Sequence, residues 1–149
     1  MTPTVRPAGR SDLPGVLRVQ RRDPDLRPAA VSQRERTTWD RMLATGGLTV
    51  YVATERDEVV GTVTLLLVPN LGYDCRPSAF VEAMVVAGPH RRRGVGRALI
   101  DRLLTDAAAA GCHKVQLLTH KRHATDGAHD FYRAVGFTAE AEGFRRYLG

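Results

Sequence analysis

Residues Val85 to Ile100, VVAGPHRRRGVGRALI, join an apolar strand to a basic, glycine-punctuated turn and then to an amphipathic helix. This strand-turn-helix unit constrains the fold and also indicates what the turn holds. Gly94 and Gly96 lack a Cβ, so the backbone there can approach a ligand closely and take positive φ where the turn demands it. The unpaired N–H groups of the first helical turn, together with the helix dipole, favour an anion, with a dipole contribution of about 0.3 to 2 kcal/mol. Arg91, Arg92 and Arg93 add charge-assisted donors suited to phosphate oxygens. The stretch therefore reads as a phosphate cradle. Two common phosphate motifs are excluded, because no Gly-Lys-Ser/Thr closes a P-loop and no G-x-G-x-x-G follows the first strand.

Around this unit, strand and helix patterns alternate without internal repeats or low-complexity linkers. Thr2 to Pro7 reads as an opening strand. Ser11 or Asp12 is expected to cap a first helix carrying Pro14 in its first turn and Leu13, Val16, Leu17 and Gln20 along it. Arg21 to Pro28 is a loop, and a second helix is expected over Ala30 to Ala44, ended by Gly46-Gly47. Leu48 to Thr54 and Val59 to Val68 read as strands joined by the charged turn Glu55-Arg56-Asp57-Glu58. A loop over Pro69 to Pro77 precedes a central strand, Ser78 to Ala87. After the phosphate turn come a helix from Val95 to Ala110 closed by Gly111, a strand over Val115 to Thr119, a loop over His120 to Gly127, a helix through Tyr132, and a last strand or strand pair over Phe137 to Leu148. The order is β-α-α-β-β-β-α-β-α-β.

The pattern Arg91-x-x-Gly94-x-Gly96 resembles the pyrophosphate-binding loop of the GNAT N-acetyltransferase superfamily. A second segment, Ala128-His129-Asp130-Phe131-Tyr132-Arg133-Ala134-Val135-Gly136-Phe137, is similar to that family's A-x-x-F-Y-x-x-x-G-F signature. Ala128, Phe131, Tyr132 and Val135 recur at helical spacing, and Gly136 stands where a helix C-terminus favours positive φ. The segment through Glu142-Gly143-Phe144-Arg145 resembles a group of small bacterial members. The resemblance implies an α/β (α+β) fold, one domain over residues 1–149, with a central mixed, mostly antiparallel sheet flanked by about four helices. Its specific part covers residues 80 to 148.

The resemblance also implies roles. The turn Arg91, Arg92, Arg93, Gly94, Val95, Gly96 and Arg97 would hold the pyrophosphate of acetyl-CoA, and the main chain of Met84 and Val86, with Val85 between them, would pair with the pantetheine arm. Glu82 is the one charged residue in the apolar run Ala79 to Ala87, and burying it without a partner or a task would be costly. By resemblance it is a general base acting through water on the attacking amine; the alternative is a rim glutamate paired with an arginine. Tyr132 would protonate the leaving CoA thiolate; the alternative is a half-buried helix residue with its hydroxyl satisfied locally. An amine with a pKa of about 10 must lose a proton before it attacks a thioester, which is why a base and an acid belong together here. The asparagine that many members place seven residues before the tyrosine is Thr125 here, which can still donate and accept one hydrogen bond.

The expected activity is acetyl transfer from acetyl-CoA, as cosubstrate, to a primary amine by direct attack. No metal is expected: His120, His123, His129 and Asp126 straddle a loop and a helix start without a known ligand spacing. The acceptor regions, namely the second helix, the Pro69 to Pro77 loop and the C-terminal strands, are compatible with metabolites, amino acids, antibiotics, polyamines or protein amines. A non-catalytic acyl-CoA-binding module is the alternative, since it would keep the Arg91 to Gly96 loop without needing Tyr132 or Glu82.

A chain of 149 residues with 43% hydrophobic residues suits one core. Its net charge of +6 is carried almost wholly by arginine, Lys114 and Lys121 being the lysines. Such charge raises the local concentration of an anionic cofactor. A nucleic-acid partner, and with it a basic RNA-acting acetyltransferase, is disfavoured by the dispersal of the arginines and by an aromatic content of 6%. The first residues lack the apolar core of a signal peptide, and no apolar run is long enough to span a bilayer, so a cytoplasmic protein without a membrane partner is expected. Cys75 and Cys112 are expected to be reduced thiols. Homodimerisation is left open by the sequence.

Overall fold

A computed structural model describes residues 2–149. It divides into two compact units, residues up to Gln116 and Leu117–Gly149. The first unit is built on a sheet whose strands are β1 (Thr4–Pro7), β2 (Leu48–Glu55), β3 (Glu58–Val68), β4 (Ser78–Val86) and β5 (Lys114–Leu117), neighbours in that order. β1 to β4 pair antiparallel. β5 follows β4 through a helical crossover, the connection that parallel neighbours require, so the sheet is mixed.

The helices are α1 (Leu13–Arg21), α2 (Gln33–Ala44), a single turn α3 (Gly72–Cys75) and α4 (Val95–Ala109) in the first unit, and α5 (Ala128–Ala134) in the second. α3 is not a regular helix, because Tyr73 and Asp74 adopt left-handed dihedrals. Among the described residues there are thus four regular helices, three in the first unit and α5 in the second. Among the described residues no helix is long and apolar enough to cross a membrane.

β2 shows why the sheet carries helices on both faces. Val50, Tyr51, Val52 and Ala53 are all buried, so the strand is apolar without alternation, as a strand covered on two sides must be. Val50 and Val52 join Leu13, Val16, Leu26, Val31 and Trp39 in the cluster formed with α1 and α2. Tyr51 points the other way, and its hydroxyl donates to Asp106 of α4 at 2.6 Å, where Arg102 Nε also donates at 3.0 Å. Burial and that hydrogen bond push the Tyr51 phenol well up from its ordinary value. α4 covers this second face with Val95, Leu99, Ile100 and Leu103, each worth about 1.5 to 3 kcal/mol of apolar burial.

Local chemistry fixes several boundaries. The hairpin between β2 and β3 turns on Arg56 and Asp57, with φ of 49° and 64°, the two-residue turn whose twist suits antiparallel strands. α2 starts at Gln33 and not at Ala30, because Ser32 and Glu35 form a reciprocal capping box while Pro28–Ala30 forms a separate 3-10 turn. Asp12 stands at the α1 N-cap but does not cap it with its side chain; its carboxylate instead accepts from Gly9 N–H and from both terminal nitrogens of Arg6, at 2.7 to 2.9 Å. Gly136 closes α5 as expected: with φ of 99° it allows Phe137 N–H to reach Tyr132 O and its own N–H to reach Arg133 O.

The expected last strand is absent. Residues 137–149 form no strand among the described residues. Thr138 to Gly143 is dominated by Ala, Glu and Gly, which fit a pleated surface poorly, and Phe144, Tyr147 and Leu148 are exposed instead of packed.

Candidate functional site

The site in the first unit begins at an irregularity in β4. Thr64 pairs with Glu82 and Thr62 with Val85, so Ala83 and Met84 together oppose Val63. This is a β-bulge, with Ala83 at a φ of 50°. The bulge turns Glu82 and Ala83 outward, and both are exposed. The burial cost expected for Glu82 therefore does not arise, nor does any arginine among the described residues pair with it. The carboxylate stands free on the strand.

Beyond the bulge, Ala87 N–H donates to Val60 O at 2.8 Å. Alternation along a strand then turns the polar groups of Val86, and of Met84 before it, away from β3. Val86 O accepts Arg91 Nε at 3.2 Å on that outer edge. β5 enters beside the start of β4, where His113 N–H donates to Pro77 O at 2.8 Å, and it is four residues long against nine in β4. Met84, Val85 and Val86 are half-buried, with an outer edge that a ligand can use as a further strand would.

The basic turn follows. A 3-10 turn, Gly88–His90, leads into Arg91, Arg92 and Arg93, all exposed, and Arg92 has a φ of 58°. Gly94 has a φ of 84° and is the N-cap of α4. A Cβ at Gly94 would meet nothing within 4 Å, so the space beside this residue is open. The first main-chain bond of the helix runs from Ala98 N–H to Gly94 O at 3.0 Å, so the N–H groups of Val95 and Gly96 precede the intrahelical ladder. α4 has no acidic residue in its first turn, so its dipole is uncompensated there. Gly96 lies inside the helix and has no positive φ; of the two glycines only Gly94 uses that freedom.

The arginines are not equivalent. Arg91 ties back to Val86 O, and Arg93 turns toward His90 and Glu55, while Arg92 has no partner among the described residues. Glu55 and His90 were not legible as site residues. In the sequence Glu55 is one of four charged turn residues, whereas in the structure it ends β2 and is buried against His90.

The second unit carries Tyr132 on α5. Its ring packs edge-on to Phe131, with centroids 5.2 Å apart, and to Phe137 at 6.0 Å. Burial pushes the phenol up from its ordinary value, so it is held protonated. The hydroxyl makes no hydrogen bond among the described residues. Nearby, His123 pairs with Asp126, whose carboxyl is held low by that imidazole and by Ala128 N–H. His120 Nδ1 accepts from Arg122 N–H at 3.0 Å. Among the described residues, no group of three or more His, Cys, Asp or Glu side chains is placed to hold a metal ion. Cys75 and Cys112 are both free thiols, and burial pushes the Cys112 thiol up.

In the first unit a strand interrupted by a bulge thus leads through a basic turn into a helix whose N-cap is a left-handed glycine. The acetyltransferase (GNAT) family profile matches residues 16–137, and the chain belongs to that family. Members transfer an acetyl group from acetyl-CoA to an amine. Among solved structures, the chain is similar to a candidate acetyltransferase from Agrobacterium tumefaciens str. C58, with 39% identity over 97% of this chain and 99% of that one, and a TM-score of 0.88. An acetyltransferase from Trypanosoma brucei matches at 26% identity over 98% and 99%, with a TM-score of 0.80. AAC(6')-Iy, solved with the bisubstrate analogue CoA-S-monomethyl-acetylneamine, shares the fold at 18% identity over the whole of both chains, with a TM-score of 0.77.

Proposed function

We propose that this chain, acting as one domain over residues 1–149, transfers an acetyl group from acetyl-CoA to a primary amine by direct attack on the thioester. The observation that carries the reading is the start of α4: left-handed Gly94 with open space beside it, and the main-chain N–H groups of Val95 and Gly96 at the helix start, where they can meet a pyrophosphate. Arg91, Arg92, Arg93 and Arg97 supply charge around that point, and the outer edge of Met84 to Val86 receives the pantetheine arm. Acetyl-CoA supplies the activated acetyl group.

In this reading Glu82 takes the amine proton through water. Its exposure suits that route, because a water chain needs access to both the carboxylate and the substrate. Tyr132, held protonated by burial, gives its proton to the departing thiolate. Phenol is a weaker acid than a thiol by about one to two pKa units, so the transfer is useful when it accompanies C–S cleavage. The amine acceptor is met by the helix α2 and the loop after β3. The protein is read as cytoplasmic.

The test is a calorimetric titration with CoA together with a thiol-release assay over a panel of amines. CoA binding with turnover of at least one amine supports the reading. Tight binding with no turnover across the panel would identify an acyl-CoA-binding module, and no binding would remove the phosphate-loop assignment.

A further inference from the structure

Glu55, at the end of β2, has 8% of its surface exposed. Its Oε2 meets His90 Nδ1 at 2.9 Å and lies 4.0 Å from Arg93 Nη2, while its Oε1 is buried with no hydrogen-bond partner among the described residues. Arg93 Nη1 approaches the same imidazole nitrogen at 3.5 Å; the shorter carboxylate contact makes Nδ1–H the donor to Glu55. A carboxylate withdrawn from water this far, and only partly satisfied, is costly to keep.

What it holds is the anion-binding turn. His90 ends the 3-10 turn that leaves β4, and Arg93 is the residue before Gly94. One buried carboxylate from the β2–β3 hairpin thus grips the turn at its entry and at its exit. Arg56 and Glu58 complete the charged surroundings of His90, lining with Glu55 and Arg93 a cavity of about 410 Å³.

We propose that Glu55 is a positioning residue for CoA: through His90 and Arg93 it fixes residues 88–94 in the conformation that presents the first N–H groups of α4 to the pyrophosphate. The inference rests on the acetyl-CoA reading above. Coulomb attraction and positioning here have opposite signs. A carboxylate near a pyrophosphate site repels it, so electrostatics alone would make CoA bind more tightly when the charge is removed. Positioning makes it bind more weakly.

The experiment is calorimetric titration of the full chain with CoA, beside thermal melts, for the parent, Glu55→Gln, His90→Leu and His90→Gln. Glu55→Gln replaces a charge-assisted hydrogen bond by a neutral one, and an affinity loss of about 10-fold is expected. His90→Leu should lose a similar factor. His90→Gln keeps an N–H donor and should stay within about 2-fold of the parent. Glu55→Gln combined with His90→Leu should lose little more than His90→Leu alone, because both act on the same contact. In turnover with an acetyl thioester that ends at pantetheine, Glu55→Gln should match the parent, which a general folding defect would not allow. Unchanged or tighter CoA binding by a folded Glu55→Gln protein would overturn the proposal, as would His90→Gln losing as much as His90→Leu. Should Glu55→Gln fail to fold, the two His90 variants, at a partly exposed position, decide it. CoA binding by the parent with unmoved variants removes the role of Glu55 alone, whereas no binding by the parent removes the acetyl-CoA reading itself.

Discussion

A Cβ built on Gly61 would lie 2.9 Å from Val95 Cγ1 and 3.0 Å from Leu99 Cδ1. Gly61 pairs in register with Val86, the last residue of β4 before the basic turn. The absent side chain therefore lets the first turns of α4 lie directly on the sheet, beside the strand that feeds them. Val95 and Leu99 are fully buried and have nowhere to retreat. Gly61→Ala should cost about 1 to 3 kcal/mol of stability through overpacking. Because the displaced element is the N-terminal part of α4, CoA affinity should fall as well. A melting temperature within error of the parent would show that α4 adjusts freely, contrary to this packing.

Gly94 makes the opposite case, since there the space is open and only the backbone objects. At a φ of 84° an L-residue other than Asn or Asp costs about 1 to 2 kcal/mol. Gly94→Ala should lower stability by that amount and CoA affinity by more than Gly94→Asn, which tolerates the left-handed conformation. Calorimetry on the pair reads the difference. Equal affinities for parent and Gly94→Ala would mean that the backbone at this residue is not what meets the phosphates.

These two glycines also mark how far the sequence could be read. Gly94 announced itself, because a glycine between an arginine run and an amphipathic helix has a local meaning. Gly61 did not, since its reason lies on Val95 and Leu99, which only the fold brings near. The same divide runs through the site. The turn Arg91 to Gly96 and the helix of Tyr132 were legible as contiguous motifs, and most strands followed from apolar runs. Glu55 and His90 were invisible, being joined across the sheet. Glu82 was legible as an anomaly, but its setting was not, because a β-bulge at Ala83 changes which side of the strand faces out and no pattern of apolar residues encodes it. The tail was misread for the converse reason: Phe144, Tyr147 and Leu148 look like strand residues, yet strand formation depends on a partner that the run itself does not contain.

Asp12 supplies a test of stability against pH. Its hydrogen bonds from Arg6 and from Gly9 N–H outweigh the burial that opposes ionisation, so its carboxyl is held below the usual range. A carboxyl with a lowered folded pKa contributes stability above its unfolded value and loses it as pH falls through the folded one. Asp12→Asn should therefore destabilise by about 1 to 2 kcal/mol at pH 7, with the difference from the parent shrinking below about pH 4. Urea denaturation at pH 7 and pH 3 measures this. A difference that stays constant between the two would show that the amide is lost for packing reasons and not for charge.

For Glu82 the prediction concerns rate alone. Glu82→Gln keeps the size of an exposed side chain on the bulge, so folding and acetyl-CoA affinity should stay near the parent values. If the carboxylate removes the amine proton, turnover at neutral pH should fall by about 100-fold or more, with a smaller loss at high pH where free amine is plentiful. Thiol release followed from pH 6 to 10 is the measurement. A variant with the parent's full pH–rate profile would reduce Glu82 to a surface residue.

Tyr132→Phe removes one oxygen and keeps the ring that packs on Phe131 and Phe137. Since the hydroxyl has no hydrogen-bond partner among the described residues, the melting temperature should change little. Burial raises the phenol pKa, so Tyr132 carries its proton at every pH up to at least its ordinary 10. Its ionisation should therefore leave no descending limb in the parent's rate profile below that point, and any limb at lower pH belongs to another group or to the substrate. If the hydroxyl protonates the leaving thiolate as the C–S bond breaks, Tyr132→Phe should cut kcat by about 100-fold or more while CoA affinity is kept. The loss should shrink when the thioester carries a more acidic thiol, which leaves without help. Equal sensitivity of parent and variant to thiol acidity, or equal turnover in a folded variant, would leave Tyr132 as a packing residue of α5.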